Sequence, residues 1–255
     1  MAKIRPNVVK RKLKRGEPVN VIASGECVQN MDPDLVEVFG DLGFDGVWIE
    51  AEHGSFDYKD IPDMTRACDL WDMTSIVRVN LNLPGVIYRT LDQGTQGIVV
   101  PHVNTADEAR AVVDACKFHP IGARGMFGSR QAIGVDNFLE KINDEVLIVV
   151  LVEDIVAIDN LDDILKVDHI DVFFVAGGDL GQSMGYLEEH PETAKVIGEA
   201  NRKIVAAGRN AGASVTDDNV GVYLDQGVTF LMSVWDGWLE KGAKAYLNRV
   251  AMASN

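Results

Sequence analysis

The stretch LDQGTQGIVV, residues 91–100, returns as LDQGVTFLMSV at residues 224–234. In each copy a helical segment ends at a glycine and a short β-branched run follows. Glycine just past a helix takes the left-handed conformation that ends it without a Cβ clash. The repeated unit therefore reads helix, glycine cap, strand, and DLGFDGVWI (41–49) has the same form in different letters. Outward from these copies, apolar runs recur at VNVIA (19–23), GVWIE (46–50), SIVRV (75–79), GIVVP (97–101), VLIVVLVE (146–153), DVFFVA (171–176), GASVT (212–216) and TFLMSV (229–234). The intervals hold helical patterns such as TADEARAVVDACKF and ETAKVIGEANRKIVAAG. Near-continuous hydrophobic strands alternating with helices predict a parallel sheet covered on its faces. Eight of them suit a closed (β/α)8 barrel better than an open doubly wound sheet. No Pro/Gly/Ser-rich linker divides the chain, so residues 1–255 are expected to form one domain.

Apolar residues at 47% and charged residues at 25% are the proportions of a globular protein. No window of about 18 uninterrupted apolar residues exists, which predicts no membrane span. The basic stretch MAKIRPNVVKRKLKRGEP lacks the apolar region of a secretory signal. Cys27, Cys68 and Cys116 are odd in number, far apart and form no CxxC, which points to reduced thiols and the cytoplasm. A net charge of −15 argues against nucleic acid as the main partner. The basic residues crowded into positions 3–15 read as the solvated face of a short helix, with Val8, Val9 and Leu13 turned inward. Neither GxGxxG nor GxxxxGK[ST] occurs, which weakens a dinucleotide or P-loop reading. The longest irregular segment, HPIGARGMFGSRQAIGVDN (119–137), is either an ordered, anion-facing loop or a plain surface excursion.

In a barrel of this kind the C-terminal ends of all strands open onto one face, where catalysis sits. GFDGVWIEAEHGSFDY (43–58) brings Glu50, Glu52 and His53 to that face; strand three brings Arg78, strand five Glu153, and strand six runs into Asp179. Polar ends on apolar strands are costly unless they pair or bind something. Glu153 and Asp179, from neighbouring strands, form a pair of oxygen ligands for a hard divalent cation. Mg2+ comes first, Mn2+ or Co2+ as alternatives, with waters or substrate oxygens completing the shell. Taken singly, each reads as a turn residue or salt-bridge partner. His53 is either a satisfied structural histidine or an acid/base group. Arg78 either neutralises Glu50 or Glu52, or holds a carboxylate or developing enolate.

With GFDGVWIEAEHG, VRVN, LDQGTQGIVVPHVNTADEAR, GARG, LVED and VFFVAGGDLGQSMG in this order, the sequence resembles the HpcH/HpaI family of metal-dependent, pyruvate-dependent class II aldolases from about residue 16 to 240. The resemblance implies a (β/α)8 barrel with an N-terminal helix and a C-terminal helix exchanged between subunits of a homo-oligomer, a hexamer built as a trimer of dimers. It implies cleavage of a 4-hydroxy-2-oxo acid to pyruvate and an aldehyde, with a divalent metal on Glu153 and Asp179. It further implies Arg78 beside the keto oxygen, His53 as acid/base oriented by Asp92, and the backbone around Gly177 and Gly178 receiving the substrate carboxylate. No Schiff-base lysine stands at these strand ends, which favours the metal mechanism.

The sequence departs from the family pattern around the pocket. Leu151 replaces a glutamine two residues before Glu153, LNLP (81–84) replaces WNDP, a tryptophan is missing from ASGECVQN (23–30), and SVWDGW (233–238) adds Trp235 and Trp238. These changes imply either an altered, more apolar pocket or drift, with the tryptophans packed at a subunit interface. Alternative functions on the same site are oxaloacetate decarboxylation, cleavage of a citramalyl-CoA-type thioester, and a catalytically silent metal-binding barrel.

Overall fold

The computed structural model describes residues 4–25 and 31–253. Eight parallel strands close in chain order, β1 bonding to β8 as well as β2. They are β1 (Val19–Ala23), β2 (Gly46–Glu50), β3 (Thr74–Arg78), β4 (Gly97–Val100), β5 (Leu147–Val152), β6 (Val172–Val175), β7 (Ala211–Ser214) and β8 (Phe230–Val234). The helices are α1 (Val8–Lys14), α2 (Pro33–Asp41), α3 (Ile61–Leu70), α4 (Pro84–Asp92), α5 (Ala106–Cys116), α6 (Phe138–Glu145), α7 (Ile155–Asp159), α8 (Leu161–Ile164), α9 (Gly177–Ser183), α10 (Pro191–Ala206), α11 (Val220–Asp225) and α12 (Asp236–Ala253). This is the (β/α)8 barrel read from the sequence, with strand ends within two residues of the expected ones. The repeated glycines act as expected: Gly94 and Gly227 stop α4 and α11 at φ +100° and +82°. Thr105 and Glu108 start α5 with a reciprocal capping box.

Alternation along the strands divides the core in two. Val21, Trp48, Ile76, Val99, Val149, Leu151, Phe174 and Phe230 fill the lumen. The other faces pack under the surrounding helices, as Ile49 and Val77 do beside α2 and α3. Trp48 lies 5.3 Å from Phe174, which meets Phe230 edge-on at 6.1 Å. The lumen is thus a packed core, and chemistry is left to the mouth.

At the N-terminal end of the barrel α1 is the plug, with Val9 and Leu13 buried. Its basic residues are in part the expected solvated face, Arg11, Lys14 and Arg15 being exposed, and in part paired with the barrel. Lys10 pairs with Asp171 at 2.7 Å, Lys12 with Asp45 at 2.8 Å and Arg11 with Glu145 at 2.7 Å. Asp171 and Asp45 immediately precede β6 and β2, and Glu145 lies two residues before β5, so α1 is locked over the strand starts; Lys3 lies outside the described residues. The segment 119–137 is ordered, and its arginines face the chain's own anions. Arg124 binds Asp92 at 2.7 Å and Arg130 binds Asp69 at 2.6 Å.

Among the described residues no helix is long and apolar enough to cross a membrane. Cys68 and Cys116 are free and buried, and burial pushes both thiols up to about 12, so they are protonated and inert. Cys27 and most of the stretch after β1 lie outside the described residues. In α12, every residue from Gly237 to Ala253 is exposed, Leu239, Tyr246, Leu247 and Met252 included.

Candidate active site

At the mouth, the β2–β3 register sets Glu50 beside Arg78. Arg78 donates from Nε to Glu50 Oε2 at 2.7 Å and places Nη1 3.1 Å from Glu52 Oε2. Both single pairings read from the sequence are therefore made at once. Glu50 Oε1 accepts the backbone N–H groups of Glu52 (2.8 Å) and His53 (3.1 Å), and Trp48 Nε1 donates to Oε2 at 3.3 Å. With both oxygens engaged, Glu50 builds the turn that presents its neighbours. Arg78 is clamped by two carboxylates through Nε and Nη1. Burial raises the pKa of Glu52 despite the opposing charges of Arg78 and His53. The His53 ring reaches into the opening, 61% exposed, with Nε2 3.6 Å from Glu52 Oε2.

Across the mouth stands Glu153, one residue beyond β5 and only 1% exposed. Its Oε1 accepts the backbone N–H of His102 at 2.7 Å, while Oε2 is buried with no hydrogen-bond partner. Burial, then the charges of Asp179 and Glu52, push its pKa up to about 7, against the pull of His102. Asp179 sits in the first turn of α9, just after Gly177 and Gly178 and within electrostatic reach of Glu153. A buried carboxylate oxygen without a partner is stable only with a proton or a cation against it. No group of three or more His, Cys, Asp or Glu side chains forms a metal cage among the described residues. Two carboxylates with outside oxygens completing the shell is a donor set that fits a hard divalent ion such as Mg2+.

His102, which the sequence reading passed over, lies at this same point. Its Nδ1 is 3.0 Å from Asp154 Oδ2 and 3.5 Å from Glu153 Oε1. Burial lowers its pKa, but the Asp154 hydrogen bond and the charges of Glu153, Asp154 and Glu52 leave it raised overall. The signal for it in the sequence is a histidine two residues beyond β4, at a strand end of the same face.

Asp92 is not brought to His53 within this chain. It is the last residue of α4, and a helix returning between parallel strands ends at their starts, opposite the mouth. There it pairs with Arg124, while the carboxylate contact of His53 is Glu52. The added tryptophans pack outside the barrel. Trp235 packs against the layer of Ile22, Phe39 and Ile49 outside the barrel. Trp238 lies 6.0 Å from Phe44 and donates to Asp217 at 2.8 Å. Leu151 is buried in the lumen with Trp48 and Phe174.

The family model of HpcH/HpaI aldolase/citrate lyase matches residues 26–238. A hydroxypyruvate/pyruvate aldolase of Roseobacter denitrificans is 33% identical over 237 residues, covering 90% of this chain and 91% of the relative. A 2-keto-3-deoxy-L-rhamnonate aldolase of Escherichia coli is 32% identical over 232 residues, covering 88% and 85%. Among solved structures, an HpcH/HpaI aldolase/citrate lyase family protein of Burkholderia cenocepacia superposes with a TM-score of 0.87 at 25% identity, covering 96% of this chain and 99% of that one.

Proposed function

This chain belongs to the HpcH/HpaI aldolase/citrate lyase family, and we propose that it is a divalent-metal-dependent carbon–carbon lyase, cleaving a 4-hydroxy-2-oxo acid reversibly to pyruvate and an aldehyde. The observation that carries this reading is Glu153, a carboxylate buried at the strand mouth with one oxygen left without a partner beside Asp179. The names of the two curated relatives, both aldolases of 2-oxo acids, support the substrate class. Glu153 and Asp179 would hold the ion, Mg2+ first and Mn2+ or Co2+ as alternatives. When bound, it supplies Lewis-acid stabilisation of negative charge on a keto oxygen.

The chain's own groups do the rest. Arg78, held flat by Glu50 and Glu52, offers Nη2 to the same keto oxygen. The first-turn amides of α9 at Gly177, Gly178 and Asp179 have no acceptor within the helix and would receive the substrate carboxylate. His53 takes the proton of the C4 hydroxyl as the C3–C4 bond breaks. The bond's electron pair passes through C3 to the keto oxygen, the aldehyde leaves, and protonation at C3 gives pyruvate. Any role for Asp92 in orienting His53 requires the Asp92 of a second subunit.

The assembly proposed is a homo-oligomer, a hexamer of three dimers that exchange α12, located in the cytoplasm and binding neither nucleic acid nor membrane. Two features support the exchange. α12 exposes its apolar residues, and a groove of about 260 Å³ lies between α2 and α11, lined by Leu42, Phe44, Val215, Val220 and Trp238. The helix after β8 would cover that seam in a closed layer.

The test is proton exchange at the pyruvate methyl group in heavy water, followed by NMR with Mg2+ or Mn2+ present. Exchange that stops on chelation and in Glu153→Gln and Asp179→Asn supports the lyase. Exchange indifferent to metal and to both substitutions overturns it.

A further inference from the structure

We propose that His102 is a positioning residue that aims the free oxygen of Glu153 at the divalent cation; the inference rests on the metal reading above. His102 follows β4 and Pro101 with φ +52°, a left-handed backbone that non-glycine side chains rarely adopt. Such a conformation persists where its surroundings over-determine it. Here two bonds do so, and both run to consecutive residues of the neighbouring strand end. The backbone N–H of His102 is 2.7 Å from Glu153 Oε1, and its ring Nδ1 is 3.0 Å from Asp154 Oδ2.

The left-handed turn is what sends the amide sideways from the end of β4 to the end of β5. It grips one oxygen of a carboxylate that is 1% exposed and leaves the other, Oε2, without a partner. A carboxylate held at Oε1 cannot turn to use both oxygens symmetrically, so Glu153 presents one oxygen in a fixed direction. The ring adds to the clamp on the same oxygen, its Nδ1 lying 3.5 Å from Oε1. Asp154 makes no side-chain cap bond to α7, so its contact with the imidazole stands as its role. The ring nitrogen facing Glu153 is already shared with Asp154, so at Nδ1 His102 holds the ligand and is not one.

The backbone requirement and the ring requirement separate by substitution. Asparagine accepts the left-handed region and keeps a polar side chain toward Asp154; glycine accepts the region and loses the ring; valine resists the region and loses the ring. The measurement is Mn2+ binding to the purified protein, read as free Mn2+ by electron paramagnetic resonance, with circular dichroism to confirm folding. His102→Asn is expected to bind within about threefold of the parent, His102→Gly about threefold to tenfold more weakly, and His102→Val more than about tenfold more weakly. Asp154→Ala, which leaves residue 102 intact, is expected to weaken binding a fewfold and decides the matter if His102→Val does not fold. Glu153→Gln is expected to abolish binding and reports on the metal reading itself.

If Glu153→Gln abolishes binding while His102→Val and Asp154→Ala bind as the parent does, the positioning role is overturned and the metal site stands. If Glu153→Gln binds normally, the metal reading has failed. Equal losses in His102→Asn, His102→Gly and His102→Val for Co2+ and Ni2+, with none for Mg2+, would make the imidazole a ligand and overturn the proposal.

Discussion

At the start of the strands, Lys10 meets Asp171, Asp92 meets Arg124, and Arg5 and Arg130 share Asp69. At the other end of the same barrel, Glu153 keeps an unpartnered oxygen and Glu52 is raised by burial. Both ends bury charge, but at the first each of these acids meets a cation, and at the second a carboxylate oxygen of Glu153 stays open. Even Lys117, 1% exposed and lowered to about 7 by burial with Lys10 adding to the effect, donates to the carbonyls of Asn143 and Val146 at 2.7 Å each. Buried charge therefore does not by itself mark a functional site, nor does one unpartnered atom, since Arg124 Nε at the strand starts also lacks a partner; an anionic oxygen left open beside a second carboxylate does.

The strongest way to break this comparison is to remove the open charge. Glu153→Gln should lower metal-dependent pyruvate exchange by at least about a thousandfold, since metal stabilisation of the enolate charge is worth several kcal/mol. The melting temperature without metal should stay the same or rise, because a group that is costly to ionise is gone. A melting temperature that falls by many degrees would place Glu153 with the structural charges of the opposite end.

The converse substitution is Lys10→Met, which leaves the half-buried Asp171 without its cation. Breaking one side of a buried pair costs about 3–5 kcal/mol, so denaturant unfolding should shift by that amount. Mn2+ affinity should change less than about twofold, the plug and the mouth sharing no side-chain contact. A tenfold loss of Mn2+ affinity in the folded variant would show that the two ends are coupled.

Acidity sharpens the same contrast. Burial, then Asp179 and Glu52, raise Glu153 from 4.5 to about 7. Between those values the folded protein holds a proton that the unfolded chain has lost, so this group's contribution to stability falls as pH rises and levels off above 7. Metal must displace that proton, so the apparent Mn2+ affinity should weaken about tenfold per pH unit below 7 and be flat above 8. Calorimetric titrations from pH 5.5 to 8.5 with a pH-independent Kd would remove the raised Glu153 from the site.

The fold was legible because its decisive signals are local. A glycine after a helix has one conformational use, and the LDQG units place Gly94 and Gly227 where the structure caps α4 and α11. Glu50, Arg78 and Glu153 were legible because strand ends of a parallel barrel converge whatever the loops do. Three things were not. The partner of Asp92 is Arg124, an ion pair between separate segments that no spacing encodes. The direction of Trp235 depends on the residue at which β8 stops, and a shift of one residue turns a side chain to the other face. The left-handed backbone of His102 leaves only a faint mark in the sequence: histidine is among the non-glycine residues that enter this region more readily than most, as His169 also does, but it is far more often found elsewhere.

Leu151 gives the smallest effect and tests where the mouth stops and the core begins. Side chains two apart on a strand share a face, so Leu151 lies on the same side of its strand as Glu153, yet it is only 1% exposed among Trp48 and Phe174. A glutamine there buries an amide at a cost of about 1–3 kcal/mol unless the amide reaches a partner at the mouth. A site that hydrogen-bonds a hydroxyl gains on substrates that carry one. Leu151→Gln should therefore lower the melting temperature by a few degrees and raise turnover with hydroxypyruvate, relative to pyruvate, by about threefold to tenfold. If stability falls and the ratio of the two keto acids does not move, Leu151 belongs to the packed lumen. The boundary between closed and open chemistry would then lie at Glu153 itself.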